Sequence, residues 1–330
     1  MILDIWRVNQ LVFVLMLLCI SPYLFKPKVP LFLILGALYS LLSPLLVFQG
    51  LNSPYQDFQV RIDATSAKAF AHNLLVIPLF FLPLTSRRLL IHLIHLLITA
   101  NSFWCLFHDY GIFGNYSMDG VAIALVLPSL FAIHTPYIAF DLLKRALPLI
   151  ALILNPGTTP LLCLGVAAVY HLIHIKRTPQ AIFLGSLILL AGLVHVGPKE
   201  LINPSDRFEK WSLFMSWWWD YGKHLLGTGL GSFEWLGFVI QGQPKHNQFL
   251  MMHNEYLQVL FEGGVIGLTL FLTGFVFTLK KSKETHWLFL TWIMAGITFL
   301  TQYPLRFMIL QTFLVLMLAE TWKGKEEQNS

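Results

Sequence analysis

Long apolar runs alternate with short polar connections along most of this chain, and the alternation breaks once, over residues 198–252, where Trp, Gly, Lys and Arg are interspersed. The apolar runs lie near 8–25, 29–48, 67–84, 88–107, 119–139, 140–154, 160–175, 181–197, 253–279, 286–302 and 305–322. A helix needs about 20 residues to cross a bilayer, so the longer runs predict spans and the shorter ones tilted or broken helices. The expected fold is all-α and polytopic, with about 11 transmembrane helices in a single domain over residues 1–322. Residues 198–252 form its long loop, residues 52–68 and 108–119 are short polar connections, and the tail at 323–330 reads as disordered.

Composition closes off the soluble alternatives. Of 330 residues, 56% are hydrophobic and only 12% charged, with mean hydropathy +0.67, which is more apolar surface than a water-exposed globule can hide. Cys19, Cys105 and Cys163 all fall within apolar runs, so neither a disulfide framework nor a paired-cysteine metal site is available. The net charge of +5 is spread as pairs between apolar runs rather than gathered on one patch, which argues against a nucleic-acid partner. The run Leu11 to Ile20 lacks the basic n-region of a signal peptide and a small-residue cleavage site, so it is read as a span.

The basic pairs set an orientation instead. With alternate connections on the cytoplasmic side, Lys26, Lys28, Arg87, Arg88, Lys144, Arg145, Lys176, Arg177, Lys280, Lys281, Lys283, Lys323 and Lys325 fall inside. Only Arg7, Arg61, Lys68 and Arg306 fall in short segments outside. Such a bias places the loop at 198–252 on the outer face of a cytoplasmic membrane. Within that loop, Asn203-Pro204-Ser205-Asp206 is a helix start. The residues that follow predict an amphipathic helix with Phe208, Trp211, Met215, Trp218 and Gly222 on one stripe, suited to the headgroup layer. Gly227, Gly229 and Gly231 then predict a turn-rich loop.

Candidate chemistry concentrates in His253 to Leu268, HNEYLQVLFEGGVIGL, where a polar patch runs directly into an apolar segment. His253 is a side chain able to move a proton near neutral pH, at the mouth of a helix. If the helix starts at His253, residues 257, 260, 264 and 267 continue its stripe, and Gly263, Gly264 and Gly267 allow a second helix to approach closely. Glu262 would then lie about 180° around and ~13 Å deeper, out of direct reach of His253. Arg207, at the head of the Trp-rich helix, offers a planar fork suited to phosphate oxygens. Arg61 and Arg306 are near outer mouths and are candidates for the same clamp or for interfacial anchoring. Each of these has a plainer structural reading: a helix-mouth histidine is often a packing residue, and Asn254 suits a helix cap. The pairs His92/His95 and His171/His174, at helical spacing, read as polar interfaces, with haem or metal ligation as the alternative.

His253-Asn254, nine residues, then Gly264-Val-Ile-Gly267-Leu268, preceded by Arg207, Trp211 and Leu226-Gly-Thr-Gly229-Leu-Gly231-Ser-Phe233, resembles the signature of the O-antigen ligase family. Members are membrane glycosyltransferases that take a glycan from a polyprenyl-diphosphate carrier. The resemblance covers residues 200 to 270 and implies that His253 and Arg207 are catalytic. It also implies substrate contacts from Asn254, Trp211, Tyr256, Arg61, Arg306, Gly229 and Gly231, and structural support from Glu262, Gly264 and Gly267. The implied partners are an undecaprenyl-diphosphate-linked glycan, an acceptor glycolipid or glycan and the bilayer, with the site facing the periplasm. No Asp-x-Asp pair or dense carboxylate cluster occurs in the outer loops, so neither a metal nor a cofactor is expected. One departure stands out: where the family often carries an arginine ahead of the span at 161–175, this chain has Asn155-Pro-Gly-Thr-Thr-Pro160. A proton-coupled transporter or flippase of lipid-linked glycans is the alternative function.

Overall fold

The computed structural model describes residues 31–43, 56–108, 111, 116–154, 158–176, 178–180, 182–183, 185–187, 207–221, 224–241 and 251–328. Among these the chain is all-helical. In order, the helices are α1 (Leu31–Leu42), α2 (Gln56–Val76), α3 (Leu84–Cys105), α4 (Tyr116–Ala132), α5 (Ile138–Leu154) and α6 (Thr158–His174). They continue with α7 (Arg207–Tyr221), α8 (Phe233–Gln241), α9 (Glu255–Ser282), α10 (His286–Thr301) and α11 (Met308–Gln328). A 3₁₀ turn, Ile77–Phe81, extends α2, and another, Pro304–Arg306, joins α10 to α11. Among the described residues, three stretches are long and apolar enough to cross a membrane: Ile62–Phe81, Leu84–Cys105 and Glu255–Ser282. Shorter apolar helices include Met118–Ala132, Thr159–His174 and His286–Thr301.

Short connections make successive helices antiparallel neighbours, and side-chain contacts fix the two ends of the bundle. At one end Arg87, at the start of α3, pairs with Glu320 near the end of α11 at 3.3 Å. Asp141 and Lys144, early in α5, pair at 2.9 Å at that same end. At the opposite end Thr159, opening α6, donates to Thr301, closing α10, at 3.0 Å. The middle of the bundle is α4, whose residues Val121 to Val126 are all buried, with α3, α5, α6 and α10 packed around it. A second, smaller core of Ile62, Phe214, Trp218, Phe233, Leu236, Met252 and Phe261 joins α2, α7, α8 and α9.

Several expectations are corrected. The segment read as a polar connection at 52–68 is helical from Gln56, because nothing from 56 to 77 is Gly or Pro and Ile62, Ser66 and Phe70 recur at helical spacing on a buried face. The tail does not leave the helix at Lys323: α11 continues to Gln328 through Lys and Glu residues that favour helix. In the Trp-rich helix the buried pair is Phe214 and Trp218, whereas Phe208 is half exposed. The reason is a protein neighbour: Phe214 meets Phe233 of α8 at 4.8 Å and Trp217 stacks on Phe261 of α9 at 5.8 Å. The expected helix start at 203–206 and the span at 8–25 lie outside the described residues, as does most of the span at 181–197.

Candidate active site

The helix that carries the candidate chemistry begins two residues later than its stripe requires. Asn254 caps α9, its side-chain oxygen accepting from the backbone N–H of Leu257 at 3.0 Å. His253 therefore precedes the helix, with φ of 51° in the left-handed region, and does not continue the stripe at 257, 260, 264 and 267. A non-glycine residue held at positive φ is uncommon and needs its neighbours to fix it. Here Trp211 of α7 donates its indole N–H to the carbonyl of Met252 at 2.6 Å, and the backbone N–H of Met252 donates to the side-chain oxygen of Gln258 at 3.3 Å. Gln258 in turn donates to Glu262 at 3.4 Å, and Glu262 also accepts from the backbone N–H of Phe233 at 3.1 Å. The fully buried carboxylate thus reaches the residue before His253 through one amide.

The helix also breaks. Gly264 has φ 64° and ψ −170°, a conformation essentially confined to glycine, so α9 consists of two helical pieces meeting at a kink. The glycine-rich loop fills the gap. Thr228 donates its backbone N–H to the carbonyl of Phe261 at 3.1 Å and Gly229 to that of Glu262 at 2.8 Å. In the other direction Val265 donates to His224 at 2.8 Å and Ile266 to Leu225 at 3.2 Å. Gly227 and Gly264 pack so closely that a Cβ on either would strike the backbone of the other segment. Tyr39 of α1 closes the break from the far side, its hydroxyl donating to the carbonyl of Gly263 and lying 3.1 Å from that of Leu226. Gly267 presses on the same ring, where a Cβ would stand 2.9 Å away, while Gly231 approaches the Thr65 carbonyl of α2. The small residues at 263 and 267 thus admit α1, as their spacing implied, but Gly264 serves the break.

The loop and the cap together bring Arg207 and His253 into one cluster. Arg207 donates through Nη1 to the carbonyl of Thr301 at 2.8 Å, and the His253 ring packs edge-on against Tyr303 at 4.8 Å. Burial, and then the charge of Arg207, lower the His253 pKa from its ordinary 6.5 to about 4, partly opposed by a hydrogen bond with Gln302. Burial likewise raises the Tyr303 pKa, and the same guanidinium lowers it. The imidazole is therefore neutral at pH 7, the form that accepts a proton. Glu255 fastens this corner, its carboxylate accepting from the backbone N–H of Leu305 at 2.9 Å.

A cavity of about 470 Å³ runs between α1, α2, α9 and α11, with Lys68, His72 and Glu234 among its lining and an apolar end at Phe81. Met251 and Glu255 line it but Arg207 and His253 do not, so the wall between cavity and cluster is the segment that carries His253. The structure turns Tyr256 inward instead, its hydroxyl on the carbonyl of Gly296 and its ring among Phe271 and Phe299. Trp211, Asn254 and Gly229 each use a polar group within the fold. The side chains of Arg61 and Arg306 lie outside the described residues. Sequence reasoning missed Tyr39, Gln302 and Tyr303; the polar pair ahead of Pro304, between two apolar runs, was the available signal for the last two.

The histidine pairs lie elsewhere. His95 bonds Ser129 at 2.8 Å inside the bundle, and His171 and His174 gather with His286 at ring separations of 5.7 and 4.6 Å. Among the described residues no three His, Cys, Asp or Glu side chains are placed to hold a metal ion. No family model matches the chain, and no curated protein is significantly similar to it.

Proposed function

We propose that this chain is a membrane glycosyltransferase that moves a glycan from a polyprenyl-diphosphate carrier to an acceptor hydroxyl. The observation that carries the reading is the cluster at the mouth of α9, where a neutral, half-buried imidazole lies within the field of an arginine at the head of another helix. His253 accepts the proton of the acceptor hydroxyl as its oxygen attacks the anomeric carbon. The bond from that carbon to the diphosphate breaks, the electron pair leaves on the phosphate oxygen, and Arg207 offsets the charge that develops there. A single displacement inverts the anomeric centre. Since the carrier's diphosphate is the leaving group, no nucleotide is consumed.

The bilayer context follows from the three long apolar helices. In this reading the Arg207 end faces the periplasm across the inner membrane and the end bearing Arg87 and Lys144 faces the cytoplasm, in keeping with the distribution of basic residues. The cavity beside Met251 and Glu255 supports entry of a lipid chain next to the cluster. A core glycolipid as acceptor makes the protein a ligase, and a growing glycan makes it a polymerase. The test is transfer itself: purified protein, a labelled carrier-linked glycan and candidate acceptors are combined with and without chelator. Product that survives chelation and is abolished by His253→Ala supports the reading. Movement of the carrier across vesicles without any glycan transfer assigns the chain to the transporter or flippase class instead.

A further inference from the structure

The connection from α10 to α11 touches both candidate catalytic side chains. The carbonyl of Thr301 holds Arg207, the ring of Tyr303 packs on His253, and between them Gln302 hydrogen-bonds the imidazole. Gln302 is only 5% exposed, and its backbone is pinned on both sides. Its N–H donates to the carbonyl of Thr298 at 2.7 Å as α10 ends, and three residues later Leu305 is held by Glu255 of α9. Glu255 stands two positions beyond His253, so the amide and the imidazole are fastened to the same helix mouth. The charged and titratable groups that face the ring are Arg207 from α7 and Tyr303 from the connection, with Glu255 committed to the Leu305 amide.

A neutral imidazole carries one N–H and one lone pair, and a base needs its lone pair aimed at the incoming proton. The N–H then needs an acceptor, and Arg207 is a donor only. The Gln302 amide, which carries an acceptor oxygen, is already hydrogen-bonded to the ring.

We propose that Gln302 is a positioning residue for His253: its amide oxygen accepts the imidazole N–H, fixes the tautomer whose other ring nitrogen carries the lone pair that takes the proton of the acceptor hydroxyl, and steadies the imidazolium that proton transfer creates. This rests on His253 being the base. When the hydroxyl proton moves to the ring, the O–C bond forms, the bond to diphosphate breaks toward phosphate, and the cation next to Gln302 gains a charge-assisted hydrogen bond until the ring returns its proton to solvent.

The experiment measures transfer against pH for the full-length protein and for Gln302→Leu, Gln302→Asn, Gln302→Glu and His253→Ala, each alongside ¹⁵N-histidine spectra in which His253 is assigned by its loss in His253→Ala. Gln302→Leu should lower kcat about 10- to 100-fold with little change in KM, the scale seen when an orienting partner of a functional histidine is lost. Gln302→Glu should move the acid limb of the rate profile to higher pH and Gln302→Leu to lower pH. A merely structural glutamine gives no such opposite shifts. If Gln302→Leu does not fold, the Asn and Glu variants carry the same comparison. Unchanged profiles in a protein that still needs His253 overturn the proposal and leave the proposed function standing. Transfer that survives His253→Ala removes His253 as the base and with it the catalytic part of this proposal, and the spectra then decide on the contact alone: a tautomer unchanged by loss of Gln302 overturns it, and a redistributed one supports it.

Discussion

Gly229 donates its backbone N–H to the carbonyl oxygen of Glu262 at 2.8 Å, so the glycine-rich loop completes the hydrogen bonding of a turn that α9 leaves open. Unpaired backbone groups are costly away from water, and irregular backbone at membrane depth persists only where protein satisfies it. The same contact sets the site, because the loop follows α7, which begins at Arg207, and α9 follows His253 with only its cap, Asn254, between them. The break is thus the joint that holds the two candidate catalytic residues in register.

Gly227→Ala and Gly264→Ala should be among the most damaging single-methyl changes in the chain. Both residues have positive φ, at 72° and 64°, and in each case the new Cβ meets backbone, which cannot rotate away. Strain of this kind costs on the order of 1–3 kcal/mol before the clash is counted. Thermal unfolding in detergent should show a clear loss of stability for both and none for Gly36→Ala, where nothing stands within 4 Å of the added methyl.

Tyr39→Phe removes one hydroxyl and leaves the carbonyls of Gly263 and Leu226 without that donor. The bond to Gly263 is half-buried and that to Leu226 exposed, so each contributes about 0.5–1.5 kcal/mol at most. The same unfolding measurement should register a drop of that size, whereas Tyr256→Phe, which loses a single 3.3 Å bond to Gly296, should cost less.

The places of most of the described helices were legible because long apolar runs admit few other structures, and the expectation that Arg207 and His253 act together came from the family resemblance, beside residue types suited to phosphate and proton transfer. The break at Gly264 was not legible. Glycines at 263, 264 and 267 suit close helix packing as well as a kink, and only the backbone of residues 224–229 distinguishes the two. Tyr39 is one tyrosine in an apolar helix, and its role depends on a partner more than 180 positions away. The polar start of α2 was hidden because hydropathy reports membrane depth, not helix, and a helix can continue beyond the apolar layer. The two-residue offset at His253 came from Asn254 taking the cap, a competition that local spacing does not decide.

Arg207→Ala should lower kcat/KM for transfer by about 10²- to 10³-fold, the scale for loss of one group that stabilises developing charge. Arg207→Lys should recover the charge but little of the rate, since an ammonium cannot offer the paired donors and would loosen the contact with Thr301. Steady-state kinetics with varied carrier separate the two outcomes, and full activity in the lysine variant would remove the guanidinium from the mechanism.

The pH dependence has a definite sign. With its pKa lowered to about 4, His253 stays in the basic form well below neutrality, so the acid limb of kcat/KM should fall near 4 rather than near 6.5. A bound diphosphate offsets Arg207, one cause of that lowering, so the limb in kcat should lie at higher pH than the limb in kcat/KM. For stability, the unfolded chain takes up this proton first as pH falls. The contribution of the neutral imidazole is therefore complete above 6.5 and is lost as pH drops from 6.5 toward 4, which unfolding midpoints across that range will show.

The most direct measurement is single-turnover transfer of a labelled glycan from a polyprenyl-diphosphate carrier by the purified protein, its His253→Ala variant and its Arg207→Ala variant, each checked for folding. The account predicts product from the first, loss of product by at least about 10²-fold in the other two, and carrier still bound by the histidine variant. Undiminished transfer by a folded His253→Ala protein would contradict it.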